Sequence, residues 1–277
     1  MNPNEQPSQL EKAQAFRALH EREGVFIIPN PWDVGSARLL AHLGCEALAT
    51  TSMGYAFSRG RLDNTLDREQ TLAYASQIVS ATPLPVSADL ENGFGDSPDV
   101  VAETVRVAAN AGLVGGSIED ATGHADDPIY ELGHAIDRVR AAAEAAHSLP
   151  FPFTLTARAE NYLHGRRDIR DTVARLQAYQ DAGAEVLYAP GLATRDDIVA
   201  VIRSVTRPVN VVMGLQGVQL TLAELSALGV RRVSLGSALY RAAIGALMRA
   251  AQEMREHGTF SFAAHAASPR ELSRILK

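Results

Sequence analysis

The sequence predicts an α/β protein built as a closed (β/α)8 barrel, and three observations predict it. Eight short apolar, β-rich runs alternate with eight capped helical stretches. Each crossover then returns the chain to the same edge, which makes the sheet parallel. The length, 277 residues, suits one such barrel. No Gly-x-Gly-x-x-Gly follows the first run, which argues against an open dinucleotide-binding sheet. Residues 1–277 are read as a single barrel domain, with 1–11 as a loose leader and 257–277 as a C-terminal extension.

The leader overlaps the start of a helix read over 10–22, and Val25–Pro29 is the first strand, closed by proline. Asp33 is placed as the N-cap of a helix through His42, with Gly44 as its stop. Glu46–Ser52 reads as the second strand, and a polar excursion over 58–63 leads to a helix capped near Asp67. The third strand runs from Pro85 into Asp89 and is followed by a helix over 98–111 that stops at Gly112. The fourth strand ends at Glu119, before a polar loop over 121–133 and an alanine-rich helix over 134–147. The fifth strand ends at Arg158 and precedes a helix over 168–182. Glu185–Ala189, Pro208–Met213 and Arg232–Leu235 complete the strands, with helices near 194–204, 221–228 and 238–256.

Bulk properties exclude several functions. Hydrophobic residues make up 46% and charged residues 21%, the balance of an ordinary soluble globular protein. A net charge of −6 lacks the basic footprint that nucleic acids and anionic membranes require. Cys45 is the only cysteine, so neither an intrachain disulfide nor a thiolate zinc cluster can form. No run of about 18 apolar residues offers a membrane span. The polar start, Met1-Asn-Pro-Asn-Glu-Gln-Pro, does not read as a signal peptide. The expectation is a cytoplasmic enzyme.

The chemistry concentrates where strands end. Pro85-Val-Ser-Ala-Asp-Leu-Glu-Asn-Gly-Phe-Gly95 stops on two carboxylates, Asp89 and Glu91, and Gly116-Ser-Ile-Glu-Asp120 stops on Glu119. Barrel active sites lie at these C-terminal strand ends. Three hard oxygen donors there suit a magnesium ion, with manganese as the alternative, or are solvated loop acids. Arg158 could grip a substrate carboxylate in a fork, or pair with those same acids. Thr51, Ser52, Met53 and Gly54 offer hydroxyls and N–H groups to an anion. Trp32 and Asn210 are further candidate substrate contacts. Proton donors are sought on the 121–133 loop and just beyond it, at His124, Tyr130 and His134. Asp33 and Cys45 read as a cap and a core residue.

Five segments together resemble the isocitrate lyase/phosphoenolpyruvate mutase superfamily. They are Pro29–Arg38, Thr51–Gly54, Asp89–Gly95, Ser117–Asp120 and Thr156–Arg158, within a similarity over about residues 12–256. The resemblance implies a (β/α)8 barrel that binds Mg2+ and works on 2-oxo acids or their enolates. It also implies a homotetramer, a dimer of dimers with the last barrel helix swapped between subunits. By position, Asp89 matches the direct metal ligand, and Glu91 and Glu119 match the acids that hold metal-bound water. Thr51–Gly54 match the carboxylate-binding segment, and Arg158 matches the substrate-gripping arginine. The chain departs from the family at Ala121–Tyr130. It has neither the lysine and cysteine of the Lys-x-Cys-Gly-His loop of the isocitrate-type lyases nor the lysine, asparagine and serine of the phosphomutases.

The expected function is therefore a Mg2+-dependent lyase that decarboxylates or cleaves a small oxaloacetate-like 2-oxo diacid. The rivals are a phosphonopyruvate-type P–C hydrolase or mutase, a non-catalytic 2-oxo acid binder, and a phosphate-ester barrel. The last would use Gly214-Leu-Gln-Gly217 and Gly236-Ser237, after strands seven and eight.

Overall fold

The computed structural model describes residues 6–215 and 217–276. Eight parallel strands form a ring: β1 (Phe26–Ile28), β2 (Leu48–Ala49), β3 (Val86–Asp89), β4 (Gly115–Glu119), β5 (Thr154–Arg158), β6 (Val186–Tyr188), β7 (Val209–Val212) and β8 (Arg232–Ser234). Ladders join β1 to β8 and then run in order down to β2. The remaining seam, between β1 and β2, is closed by Ala49 N–H on the Pro29 carbonyl at 3.1 Å and by Asn30 Nδ2 on the Thr50 carbonyl at 3.0 Å. The predicted (β/α)8 barrel is the observed one.

The helices form where caps and apolar spacing direct. They are α1 (Gln9–Glu21), α2 (Val34–His42), α3 (Ser52–Ser58), α4 (Arg68–Ala81), α5 (Pro98–Asn110), α6 (Leu132–His147), α7 (Ile169–Asp181), α8 (Arg195–Ser204), α9 (Leu222–Leu228), α10 (Ala238–His257) and α11 (Pro269–Ile275). Asp33 caps α2 with a reciprocal Ser36 contact, and Asp67 caps α4, as their positions predict. Apart from β1, where Ile27 is exposed, the strands are largely buried on both faces, inward into the ring and outward under the helices. None of the described helices is long and apolar enough to cross a membrane.

Two expectations need correction. The leader is shorter than residues 1–11, because Ser8 and Glu11 form a capping box that starts α1 at Gln9; residues 1–5 lie outside the described region. The second strand does not extend to Ser52. Thr51 Oγ1 accepts the Gly54 N–H at 3.1 Å and opens the helix α3 instead. Within the C-terminal extension, Ser261–His265 form a short 3-10 turn and α11 packs against α2.

At the end of the barrel away from the site, His20 is buried with Arg232 beside it. Its Nδ1 lies 2.8 Å from the Phe16 carbonyl and its Nε2 lies 3.3 Å from Arg232 Nη1. A guanidinium can only donate, so Nε2 accepts and the ring is neutral. Burial, and then the charge of Arg232, hold its pKa at about 3. Below its ordinary pKa the unfolded chain binds a proton that the native ring refuses. The neutral ring's contribution to stability is therefore complete above about pH 6.5. It is lost at about 1.4 kcal/mol per unit as the pH falls toward 3. Between pH 6.5 and 4.5, urea unfolding should show wild type losing about 2–3 kcal/mol more than His20→Gln. Equal losses in the two proteins would refute this account of His20.

Candidate active site

Side chains alternate along a strand, so Ser117 and Glu119 share one face of β4, while Glu91 lies just past β3 in the turn that follows Asp89. Register then assembles the site. Asp89 pairs with Ser117, Glu119 with Arg158, and Arg158 with Tyr188. Glu119 N–H donates to the Glu91 carbonyl at 3.0 Å and extends the alignment past β3. Asp89, Glu91, Glu119 and Arg158 thereby meet at one end of the barrel, in a cavity of about 1110 Å3.

The turn after β3 is held in an unusual shape. Glu91 and Phe94 adopt positive φ, 50° and 62°, a left-handed conformation that costs residues with a Cβ roughly 1–3 kcal/mol. Arg138, 1% exposed, compensates from α6 by donating to the carbonyls of Asn92, Gly95 and Asp96. Thr104 Oγ1 donates to the Gly93 carbonyl at 2.8 Å. The strain aims Glu91 into the cavity.

Arg158 is the hub of the floor. Its Nη1 lies 2.9 Å from Asp89, its Nη2 3.2 Å from Glu119 and its Nε 2.8 Å from Glu160. Burial disfavours the guanidinium's charge, yet Glu160, Glu119 and Asp89 together hold its pKa well above the ordinary arginine value. The acids remain in excess. Burial, then the charges of Asp89 and Asp63, push the Glu91 carboxyl up to about 8. Burial raises Glu119 well above the usual range although Arg158 opposes it. Burial raises Glu160 and Asp63 too, and Asp89 adds repulsion at both.

Two of these acids escaped the sequence reading. Glu160 keeps the strand parity of Arg158, a signal that could have found it. Asp63 sits in the irregular segment before α4, where no period operates. Its Oδ1 is buried without a hydrogen-bond partner among the described residues. Ser52 Oγ, with one proton to give, lies 3.0 Å from Asp89 Oδ2.

The other predicted site residues divide. Thr51, Ser52 and Met53 line the cavity. The Gly54 N–H is taken by the Thr51 cap and does not face an anion. Asn210 lies in the barrel interior below, where it accepts from Arg232 Nε at 2.9 Å and donates to Ser234 at 2.9 Å. Trp32 packs edge-on against Tyr240 and is not on the cavity lining. The 121–130 segment folds into a hairpin through an Ala121–Ile129 bridge. His124 is exposed on it, off the lining. Tyr130 is buried, also off the lining, and its hydroxyl donates to Asp96 at 2.5 Å. His134 belongs to α6 and contacts the Asp96 carbonyl at 2.9 Å. Within the Gly214–Gly217 stretch, Gln216 lies outside the described residues. Leu215, Gly236 and Ser237 line the same large cavity.

Among the described residues, no three acids, histidines or cysteines stand close enough to enclose a bare ion. The three predicted metal acids therefore do not form a direct cage. The donor set still fits a hard cation reached partly through water: Asp89, Glu91, Glu119, Glu160 and Asp63, whose Oδ1 is the orphaned oxygen, line the cavity with the paired Arg158, and Arg68 and Arg241 are also on the lining.

A parallel barrel with acids and an arginine at one set of strand ends defines an enzyme of the small-molecule-binding barrel class. The chain belongs to the phosphoenolpyruvate phosphomutase family, whose model matches residues 16–255, within the isocitrate lyase/PEP mutase superfamily. It is similar to a Burkholderia cenocepacia structure described as a provisional lyase/mutase, with 65% identity, 96% of each chain covered and a TM-score of 0.95. It is 29% identical to an oxaloacetate decarboxylase of Chromohalobacter salexigens, over 90% of this chain and 88% of the relative. A phosphonopyruvate hydrolase solved with oxalate and Mg2+ is 26% identical, with 95% and 94% of the chains covered and a TM-score of 0.84.

Proposed function

We propose that the chain is a divalent-cation-dependent carbon–carbon lyase that decarboxylates a small oxaloacetate-like 2-oxo acid through an enolate. The observation that carries this reading is the acid cluster of the floor, where Asp89, Glu119 and Glu160 pair with the one guanidinium of Arg158 and the carboxylates of Glu91 and Asp63 line the same cavity unpaired with it. Asp89 would hold Mg2+ or Mn2+ directly, with Glu91 and Glu119 acting through water. When bound, the cation supplies Lewis-acid stabilisation of the developing enolate charge. Ser52 fixes the Asp89 carboxylate. Arg158 has five N–H donors and spends three of them on the acids, which leaves two for a substrate carboxylate. Decarboxylation needs no base to begin. Retro-aldol cleavage does, and the 121–130 hairpin has neither cysteine nor lysine.

The likeness to a decarboxylase and to an Mg2+- and oxalate-bound hydrolase supports this reading. One observation favours P–C cleavage as the second reading: Arg241 and Ser237 on the opposite wall suit a phosphonate. A panel of oxaloacetate, 2-methylisocitrate, 2,3-dimethylmalate and phosphonopyruvate separates the two. We expect oxaloacetate turnover that EDTA abolishes and Mn2+ restores. Turnover of phosphonopyruvate alone would favour the second reading, and EDTA-resistant turnover would remove the cation from both.

Assembly into a homotetramer by exchange of α10 is part of the same proposal. That helix has no buried residue over twenty positions and exposes Leu247, Met248 and Met254. Leu247→Glu with Met248→Glu should convert the assembly to a smaller species in sedimentation. A wild-type monomer would dismiss it.

A further inference from the structure

An enolate left by loss of CO2 must take a proton on carbon, and the cavity offers few donors. Among the described residues its lining carries one imidazole, that of His164. This residue lies on the turn that follows β5. Leu163 N–H donates to the Glu160 carbonyl at 2.9 Å and His164 N–H to the same carbonyl at 3.3 Å. These bonds make one helical turn from Glu160 to His164. Residues four apart on such a turn share a face, about 6 Å apart along its axis. Glu160 is on the floor, bonded to Arg158. His164 therefore stands one turn above the acid–arginine floor, toward the mouth.

The turn is rigidly built. Asn161 is fully buried, and its Nδ2 donates to Thr172 Oγ1 at 2.7 Å and to the Arg166 carbonyl at 3.2 Å. Tyr162 and Leu163 close over Gly191, where an added Cβ would come within 2.9 Å of Leu163 Cδ2. The other protic groups have other tasks or hold their protons. Glu91, raised to about 8, is assigned above to cation-bound water, Asp89, Glu119 and Glu160 hold Arg158, and burial pushes the Tyr188 phenol up to about 12.

Resting on the decarboxylase reading above, we propose that His164 is the acid that protonates the enolate carbon. The C3–C4 bond breaks, its electron pair forms the enolate, and CO2 leaves. The enolate re-forms the 2-oxo group as C3 takes the proton from the imidazolium. The neutral ring regains a proton from solvent, to which it is exposed.

The test uses full-length wild type, H164Q and H164N with Mg2+ and 2-oxo-3-methylbutanedioate in D2O. It reads CO2 release and the configuration of the C3-deuterated 2-oxobutanoate. Wild type should give one enantiomer. Both variants should lose at least ~100-fold in kcat, or release CO2 with racemic product because solvent replaces the donor. Oxalate, an enolate mimic, should still raise the melting temperature of both variants in Mg2+. Wild-type rates with unchanged enantiomeric excess in both variants would overturn the assignment and leave the decarboxylase reading standing. Loss of oxalate binding would overturn it in favour of a binding role. No CO2 release by wild type from any 2-oxo diacid would end both.

Discussion

Asp89→Asn should lower Mg2+-dependent turnover by about a thousandfold or more. That is the scale of several kcal/mol of charge stabilisation at about 1.4 kcal/mol per tenfold. The reasoning starts from position. Asp89 accepts from Arg158 Nη1 at 2.9 Å and from Ser52 Oγ at 3.0 Å, and its backbone N–H donates to Thr50 Oγ1 at 3.0 Å. Its carboxylate is thus fixed before any ligand arrives. Asparagine keeps the shape and removes the charge. Mg2+ should raise the wild-type melting temperature, since a ligand at 100 times its Kd stabilises by about 2.7 kcal/mol. The variant should show little or no shift. Unchanged turnover with an unchanged Mg2+ shift would refute Asp89 as the cation's direct ligand.

The contrast between Asp89 and the loop residues explains what the sequence could and could not disclose. Asp89, Glu119 and Arg158 sit at strand ends, where a period of two and parallel register fix direction and neighbour without further information, whereas Glu91 is aimed by the strained turn after β3. The barrel was legible for the same reason: strands and caps are local signals. The 121–130 segment has no such period. Its direction is set by contacts distant in sequence, above all Tyr130 with Asp96 and Arg138, and these leave Ala121 and Gly123 on the cavity lining but His124 and Tyr130 off it. Asp63 reaches the cavity from irregular chain, and His164 from a single turn after β5, both too short for a period to announce them. Gly54 shows a subtler limit. Thr51 was legible as a polar strand end, but whether its hydroxyl would serve an anion or cap a helix depended on where the strand stopped.

The same period of two assigns Asp120 to the opposite face from Glu119, and the consequence is a matter of stability. Asp120, 3% exposed, accepts from Arg175 Nη1 at 3.0 Å, from the Tyr179 hydroxyl at 2.6 Å and from Glu160 N–H at 2.7 Å. Burial raises its carboxyl above the ordinary range despite those donors. Arg175→Leu would leave that charge buried with its cation gone, a loss of about 3–5 kcal/mol for an interior pair broken on one side. Arg140→Leu is the control, since its 2.6 Å bridge to Asp137 is exposed on both sides. A pair of that kind contributes at most about 1 kcal/mol. Urea unfolding at pH 7 should separate the two variants by several-fold in lost stability, and equal losses would refute the interior role. Because Asp120 also fixes the backbone of Glu160, the outward residue of the Ile-Glu-Asp segment supports the floor that its inward neighbour helps to form.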